Sequence, residues 1–242
     1  MRGKLIMEIL KEGNRTIYLD SEESLLLYNS IEEKRYKIIK ELKNDSRSLV
    51  LYIEINCEKI KDEFKKVVLK IPREKNERKW QQFLSIFRGS ESKREFYNCK
   101  LIEENGFLGA KPLVAVEKKH GIIVTESYFV LSYIDGKHAS FNDIAIVLET
   151  LYHIHDEGYT HGDAQLANFM IKDEKVYVID CKFAKNYFGI IKKIEEFIYF
   201  EKSCYKNVPC RYKNSYFYNL IEKIDSYKDK FNYFTKKIRG KV

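Results

Sequence analysis

One stretch of the chain, residues 141–180, constrains the fold more than any other. FNDIAIVLETLYHIHDEG (141–158) places Ile144, Val147, Leu148, Leu151, Ile154 and His155 at steps of three and four, the pattern of an amphipathic helix. Asn142 is placed to cap its start and Gly158 to end it. YTHGDAQLANFM (159–170) follows, and two short apolar runs, NFMIK and KVYVID, come next with DE between them. The spacing predicts a long helix, a polar loop and a tight hairpin. Such a hairpin brings Asn168, at the mouth of its first strand, beside Asp180, at the end of its second. Asp163 stays in the loop before both.

The chemistry of these three side chains is complementary. One carboxylate and one amide oxygen are hard ligands suited to Mg²⁺, which keeps several waters and shares phosphate oxygens. Asp163, outside that pair, can accept a proton from a hydroxyl. Phosphoryl transfer needs this division of labour, because its catalysis is mostly positioning and charge neutralisation. It also needs a cation on the nucleotide phosphates. Lys70, in VVLKI, lies inside an apolar strand pattern, where an unpartnered lysine is costly. Glu95, near the start of a helix predicted over 92–106, is placed to be its partner, with Glu91 and Glu103 as alternatives. His155 reads as a core histidine, and His161 as a packing and hydrogen-bonding residue of the loop.

The remaining pattern fills in an α+β chain. TIYL (16–19), SLVLYIEI (48–55) and KKVVLKI (65–71) are rich in the residues that favour strands. GIIVTES (121–127) and YFVLSYI (128–134) read as a strand pair. From about Phe188 the chain is mostly helical. The sketch is a β-rich part over 1–134 and a mainly helical part over 135–242, joined near residues 132–137. With 44% hydrophobic residues among 242, a sizeable core can form, which excludes a disordered chain. Five scattered cysteines make neither a disulfide framework nor a CxxC zinc site, so a reducing, cytoplasmic setting is expected. The apolar stretch in MRGKLIMEIL is too short for a secretory segment. No run approaches the ~20 apolar residues of a membrane span. The net charge of +8 favours an anionic partner without choosing one.

HGDAQLAN resembles the catalytic loop of the protein-kinase-like superfamily, in the HGDxxxxN form of its small-molecule and sugar kinases. VLK resembles the strand-lysine motif, VIDCK stands where DFG would, and LYHIHDEGYTHGD reads like the helix leading into the loop. The likeness covers roughly residues 36 to 200. Within the superfamily, LKIPREKNERKWQQFLSIFRGS, the ENGF helix end and HGDAQLANFMI followed by VIDC are most similar to the lipopolysaccharide core heptose kinase family. The resemblance implies a bilobal protein-kinase-like fold and an ATP- and Mg²⁺-dependent kinase. Asp163 would be the catalytic base, Asn168 and Asp180 the metal ligands, Lys70 the phosphate anchor and Glu95 its helix partner. Ser132, Tyr133 and Ile134 would face the adenine at the hinge. The acceptor it implies is a heptose hydroxyl of the lipopolysaccharide inner core. Another small molecule, a protein Ser/Thr, or a non-catalytic pseudokinase that binds a partner are the alternatives.

Two departures stand out. LKNDSRSLVLYIEI has no glycine, so the resemblance leaves the phosphates covered by backbone groups of Asn44, Asp45 and Ser46, or held less tightly. There is no APE-like motif and no recognisable activation segment, which argues against a regulated protein kinase. The C-terminal segment RYKNSYFYNLIEKIDSYKDKFNYFTKKIRGKV reads as two amphipathic helices with Tyr216, Leu220, Ile224 and Tyr227 as their core stripe. Contact with an anionic membrane surface, here the cytoplasmic face of the inner membrane, is a second reading. Stacking on single-stranded nucleic acid is a weaker third.

Overall fold

The computed structural model describes residues 8–205 and 207–238. The apolar stretch at residues 1–7 lies outside them. The chain divides into two compact units with the boundary between Asp135 and Gly136.

The first unit is built on a seven-stranded antiparallel sheet. Its elements are β1 (Glu8–Glu12), β2 (Arg15–Leu19), α1 (Glu22–Glu32), β3 (Tyr36–Asn44), β4 (Leu49–Ile55), α2 (Asp62–Lys65), β5 (Lys66–Ile71), α3 (Arg73–Glu77), α4 (Lys79–Arg88), α5 (Glu91–Glu104), β6 (Pro112–His120) and β7 (Ile123–Ser132). The strand order is β1-β2-β6-β7-β5-β4-β3. Side chains alternate across a strand, and the sequence uses both faces. Ile17, Leu19, Leu51, Ile53, Val67, Leu69, Val114 and Val130 pack with Leu27, Tyr28 and Ile31 of α1. The intervening Tyr18, Ala115 and Phe129 pack with Phe96 of α5. Lys70 follows Leu69 and therefore points to the α5 face.

The strand pair predicted over 121–134 is one strand, β7. Its hairpin partner is β6, with Val116 opposite Tyr128 and Ala115 opposite Phe129. The reason lies in the turn. Nothing between Ser127 and Tyr128 can reverse the chain, whereas Gly121, at φ +60°, takes a left-handed conformation that suits glycine.

The second unit holds β8 (Lys137–His138), α6 (Ile144–Asp156), β9 (Tyr159–Thr160), β10 (Phe169–Lys172), β11 (Lys175–Val178), β12 (Ala184–Lys185), α7 (Gly189–Ser203) and α8 (Tyr216–Ile238). α6 buries the predicted face, Ile144, Val147, Leu148, Leu151, Ile154 and His155. Its lead-in turn is capped by Ser140 and Asp143 in a capping box, not by Asn142. Ser140 can trade hydrogen bonds with a carboxylate three residues on, which Asn142 has no partner to do. The predicted hairpin is β10–β11, pairing Phe169 with Val178 and Lys172 with Lys175. Asp173 and Glu174 both have positive φ, the geometry of a two-residue turn that matches strand twist.

The C-terminal expectation is overturned. Tyr216–Ile238 is one helix, and Tyr216, Leu220, Ile224 and Tyr227 are exposed. Among the described residues of α8 the buried ones are Tyr218 and Ile221, on a different face. Spacing gives a stripe its helical face, but does not say whether a neighbour covers it.

Candidate active site

The loop between β9 and β10 carries Asp163 and Asn168. Gly162 has φ +80°, and a Cβ there would lie 2.7 Å from the Lys182 carbonyl oxygen and 2.8 Å from Lys182 Cβ, so no larger residue fits. The Lys182 N–H donates to the His161 carbonyl at 2.8 Å, and β12 pairs with β9. The segment after Asp180 therefore returns alongside the loop and holds it.

Asp163 sits in a frame of hydrogen bonds. Its N–H donates to His161 Nδ1 at 3.3 Å. Its carbonyl accepts from the Gln165 N–H at 2.8 Å and from Asn168 Nδ2 at 2.8 Å. Its carboxylate accepts from Gln165 Nε2 at 3.0 Å. These contacts fix the backbone, and the half-buried carboxylate is met by the Gln165 amide and the Tyr199 hydroxyl. Burial lowers the His161 pKa and outweighs the opposing charges of Glu196 and Asp163, so the ring is held neutral.

Asn168 and Asp180 lie at the mouth of the β10–β11 hairpin. The Ile179 N–H donates to the Asn168 carbonyl at 3.0 Å, which sets Asp180 one residue from that contact. Asp180 has φ +47°, a sparsely populated conformation for a residue with a side chain. Because Asn168 Nδ2 is committed to Asp163, the amide oxygen is the atom left to face a ligand. A carbonyl-type oxygen and a carboxylate at neighbouring positions fit a hard dication that keeps part of its water shell. Among the described residues no group of three or more His, Cys, Asp or Glu side chains could hold a metal, so a closed, zinc-like cage is absent there.

In the first unit, Lys70 Nζ and Glu95 Oε2 are 3.0 Å apart, with side chains only 18% and 20% exposed. α5 is set in place at its start. The Ser90 side chain caps it by accepting from the Lys93 N–H at 3.0 Å. The Ser90 N–H donates to Glu117 Oε1 at 2.7 Å, and Glu117 on β6 is buried. Ser132 ends β7, its N–H donating to the Lys111 carbonyl at 2.9 Å and its hydroxyl accepting from the Lys111 N–H at 2.8 Å. Tyr133 stacks on Tyr52 with ring centroids 3.9 Å apart, and Ile134 is buried.

The β3–β4 turn gives its backbone groups other partners than phosphate. The Asp45 N–H donates to the Ser48 carbonyl at 3.1 Å, and the Asp45 carboxylate accepts from the N–H groups of Arg47 and Ser48 at 2.8 Å each.

Sequence reasoning missed three contributors. Glu196 of α7 is 5% exposed, and its carboxylate accepts from His155 at 2.8 Å and from the backbone N–H groups of His161, at 2.9 Å, and Gly162. Burial opposes its ionisation, but the His155 hydrogen bond and charge and the His161 N–H outweigh that, and its pKa is lowered. The available signal is a pair of adjacent glutamates, Glu195 and Glu196, in the largely apolar run IEEFIYF. Gln165 and Tyr199 are the others. Gln165 Nε2 bridges the Asp163 carboxylate and the Tyr199 hydroxyl. Burial and then the Asp163 charge push the Tyr199 phenol above its ordinary pKa. Nothing in the sequence pattern pairs residues 165 and 199.

No family model matches the chain. Among solved structures, one of WaaP in complex with acyl carrier protein aligns with a TM-score of 0.51 and 13% identity, over 81% of this chain and 83% of that one. The PknI kinase domain of Mycobacterium tuberculosis aligns with a TM-score of 0.40 and 13% identity, over 61% and 59%. The likeness to WaaP shows the fold. The chain has a protein-kinase-like fold, β-rich in its N-terminal part and helical in its C-terminal part.

Proposed function

We propose that this protein-kinase-like chain is an ATP-dependent phosphotransferase acting on a sugar hydroxyl, a heptose of the lipopolysaccharide inner core, at the cytoplasmic face of the inner membrane. The observation that carries the reading is the loop itself. Asp163 is framed through its backbone with its carboxylate half-buried, the Asn168 Nδ2 is committed to the Asp163 carbonyl, and Asn168 and Asp180 follow at the mouth of the adjoining hairpin. The heptose acceptor rests on the sequence resemblance, and the fold shared with WaaP is compatible with it.

In the proposed reaction the acceptor oxygen forms a bond to the γ-phosphorus of ATP. The bridging oxygen bond to that phosphorus breaks, ADP leaves, and the hydroxyl proton passes to Asp163. Lys70, oriented by Glu95, anchors the nucleotide phosphates. Ser132, Tyr133 and Ile134 meet the adenine. Asn168 Oδ1 and Asp180 would hold Mg²⁺, which when bound neutralises phosphate charge. Transfer of phosphate from ATP to dephosphorylated core oligosaccharide, followed by mass spectrometry, tests the reading. A gain of one phosphate on the oligosaccharide supports it. ATP turnover with other acceptors only would move the activity to a different substrate, and no turnover with any acceptor would leave a binding module.

Two residue tests belong to this reading. Asp180→Ala is expected to abolish Mg²⁺-dependent nucleotide binding, since Asp180 is the only carboxylate assigned to the ion. Calorimetric titration with Mg·ATP and with ATP alone reads it. Unchanged Mg²⁺ dependence would mean that the ion is held elsewhere. Lys70→Ala and Glu95→Ala should each depress turnover, and the double variant should be little worse than either, because residues acting as one unit are strongly non-additive. Each single variant leaves a mostly buried charge without this partner, so melting temperatures must be measured beside the rates. If the two effects simply multiply, the pair does not act as a unit in turnover.

A further inference from the structure

α8 carries an apolar seam that the described residues leave largely exposed. Phe217, Ile224 and Phe231 alternate at steps of three and four with Leu220, Tyr227 and Phe234, so all six lie along one face. Leu220 is 49% exposed, Tyr227 71%, Phe231 67% and Phe234 59%. The helix is held to the second unit by other residues. Tyr218 and Ile221 are buried, and Asp225 pairs with Lys202 of α7. At 23 residues the helix is about 34 Å long. Contiguous exposed apolar surface of this kind commonly marks an interaction site.

Lysines border the seam on both edges. Lys223 and Lys230 each precede a seam residue and border one edge, and Lys228, whose Nζ lies 4.0 Å from Glu195 of α7, borders the other. Lys230 lies 5.8 Å from the Tyr227 ring centroid. The acids Glu222 and Asp225 fall on the far side. Two copies of this helix, parallel or antiparallel, would set lysine against lysine across the seam, so self-pairing is disfavoured. An anionic partner is required. Four of the six seam residues are Phe or Tyr. Knobs-into-holes packing against a helix prefers branched aliphatic residues, whereas aromatics between lysines suit the boundary of headgroups and acyl chains. Leu220 and Ile224 offer nothing for a nucleobase to stack on. Among the described residues no helix is long and apolar enough to cross a membrane.

We propose that α8 docks this protein on an anionic lipid bilayer, lying in the plane of the surface with its aromatic seam in the headgroup–acyl boundary and Lys223 and Lys230 on the lipid phosphates. The assignment stands on α8 alone and does not depend on the reaction proposed above. The test is flotation of the full chain with vesicles of phosphatidylcholine alone and of phosphatidylcholine mixed with phosphatidylglycerol. Binding to the mixed vesicles only, weakened by salt, is expected. Ile224→Glu together with Phe231→Glu should lower partitioning by more than about tenfold. Lys223→Ala and Lys230→Ala should each lower it about fivefold. Both seam residues are exposed, so the melting temperature should hold, and transfer to a soluble oligosaccharide should be unchanged in these variants. Failure to float with phosphatidylglycerol, equal binding to neutral vesicles, or variants that float like the wild type would each overturn the proposal. So would a seam-dependent dimer in sedimentation, or seam-dependent binding of a single-stranded RNA oligonucleotide in its place.

Discussion

Asp163→Asn is expected to lower turnover by about 10²–10⁴, the range for a positioned acid–base group, while nucleotide affinity changes little. The substitution keeps the shape of the side chain. Three of the hydrogen bonds that frame Asp163 go to its backbone N–H and carbonyl, and an asparagine retains them. Those to its carboxylate, from Gln165 Nε2 and the Tyr199 hydroxyl, find an amide oxygen in place of a carboxylate oxygen. The loss should therefore fall on kcat, without a matching fall in melting temperature. Single-turnover measurement of phosphate transfer, with nucleotide affinity titrated separately, distinguishes lost chemistry from lost binding. Near-normal turnover in a folded Asp163→Asn protein would remove Asp163 from the mechanism.

The largest expected effect on stability is at Glu196. Its carboxylate is the shared acceptor for His155 and for the N–H groups of His161 and Gly162. Glu196→Ala leaves those donors buried without it, and the loss should be on the order of 3–5 kcal/mol, a fall in melting temperature of roughly 10 °C or more. Turnover should fall with it, because the loop loses its brace. Glu196→Gln retains an acceptor oxygen and should fall between the two. The acid side gives an independent reading. Because the folded pKa of Glu196 is lowered, its contribution is complete above the ordinary glutamate value of 4.5 and is lost as pH falls through the lower folded value. In Glu196→Gln that part of the acid-induced loss should disappear, as denaturant midpoints measured across this pH range would show. A variant with wild-type stability and wild-type acid response would mean that the loop is held by its other contacts.

The sequence was most legible where local pattern and chemistry agreed. The helix into the loop, the β10–β11 hairpin and Lys70 in β5 each follow from a period, a turn or a charge in apolar surroundings. Lys70 and Glu95 meet because β5 turns the lysine to the face that α5 covers, a consequence of alternation along the strand. What could not be read depended on partners distant in the chain. β6 was overlooked because PLVAVEKKH ends in charges, and its pairing with β7 is fixed by a turn at one glycine. Glu196 and Tyr199 reach the loop only because α7 packs across it. The stripe Tyr216, Leu220, Ile224 and Tyr227 reads as core because helical spacing reports a shared face and carries no information on what lies opposite.

The lacing of the loop to the segment after Asp180 bears on how this part of the molecule opens. The Lys182 N–H reaches His161, the Asn186 N–H reaches Gly158, and Ala184 pairs with Thr160. Neither strand of this two-stranded patch has another neighbour in its sheet. Fraying of one releases the other, so amides on the return segment report on the integrity of the loop as a single cooperative unit in hydrogen exchange. A ligand that binds only the formed loop then slows exchange at Lys182, Ala184 and Asn186 without touching them. Occupancy at Asp163 and order in residues 182–186 become two readings of one equilibrium.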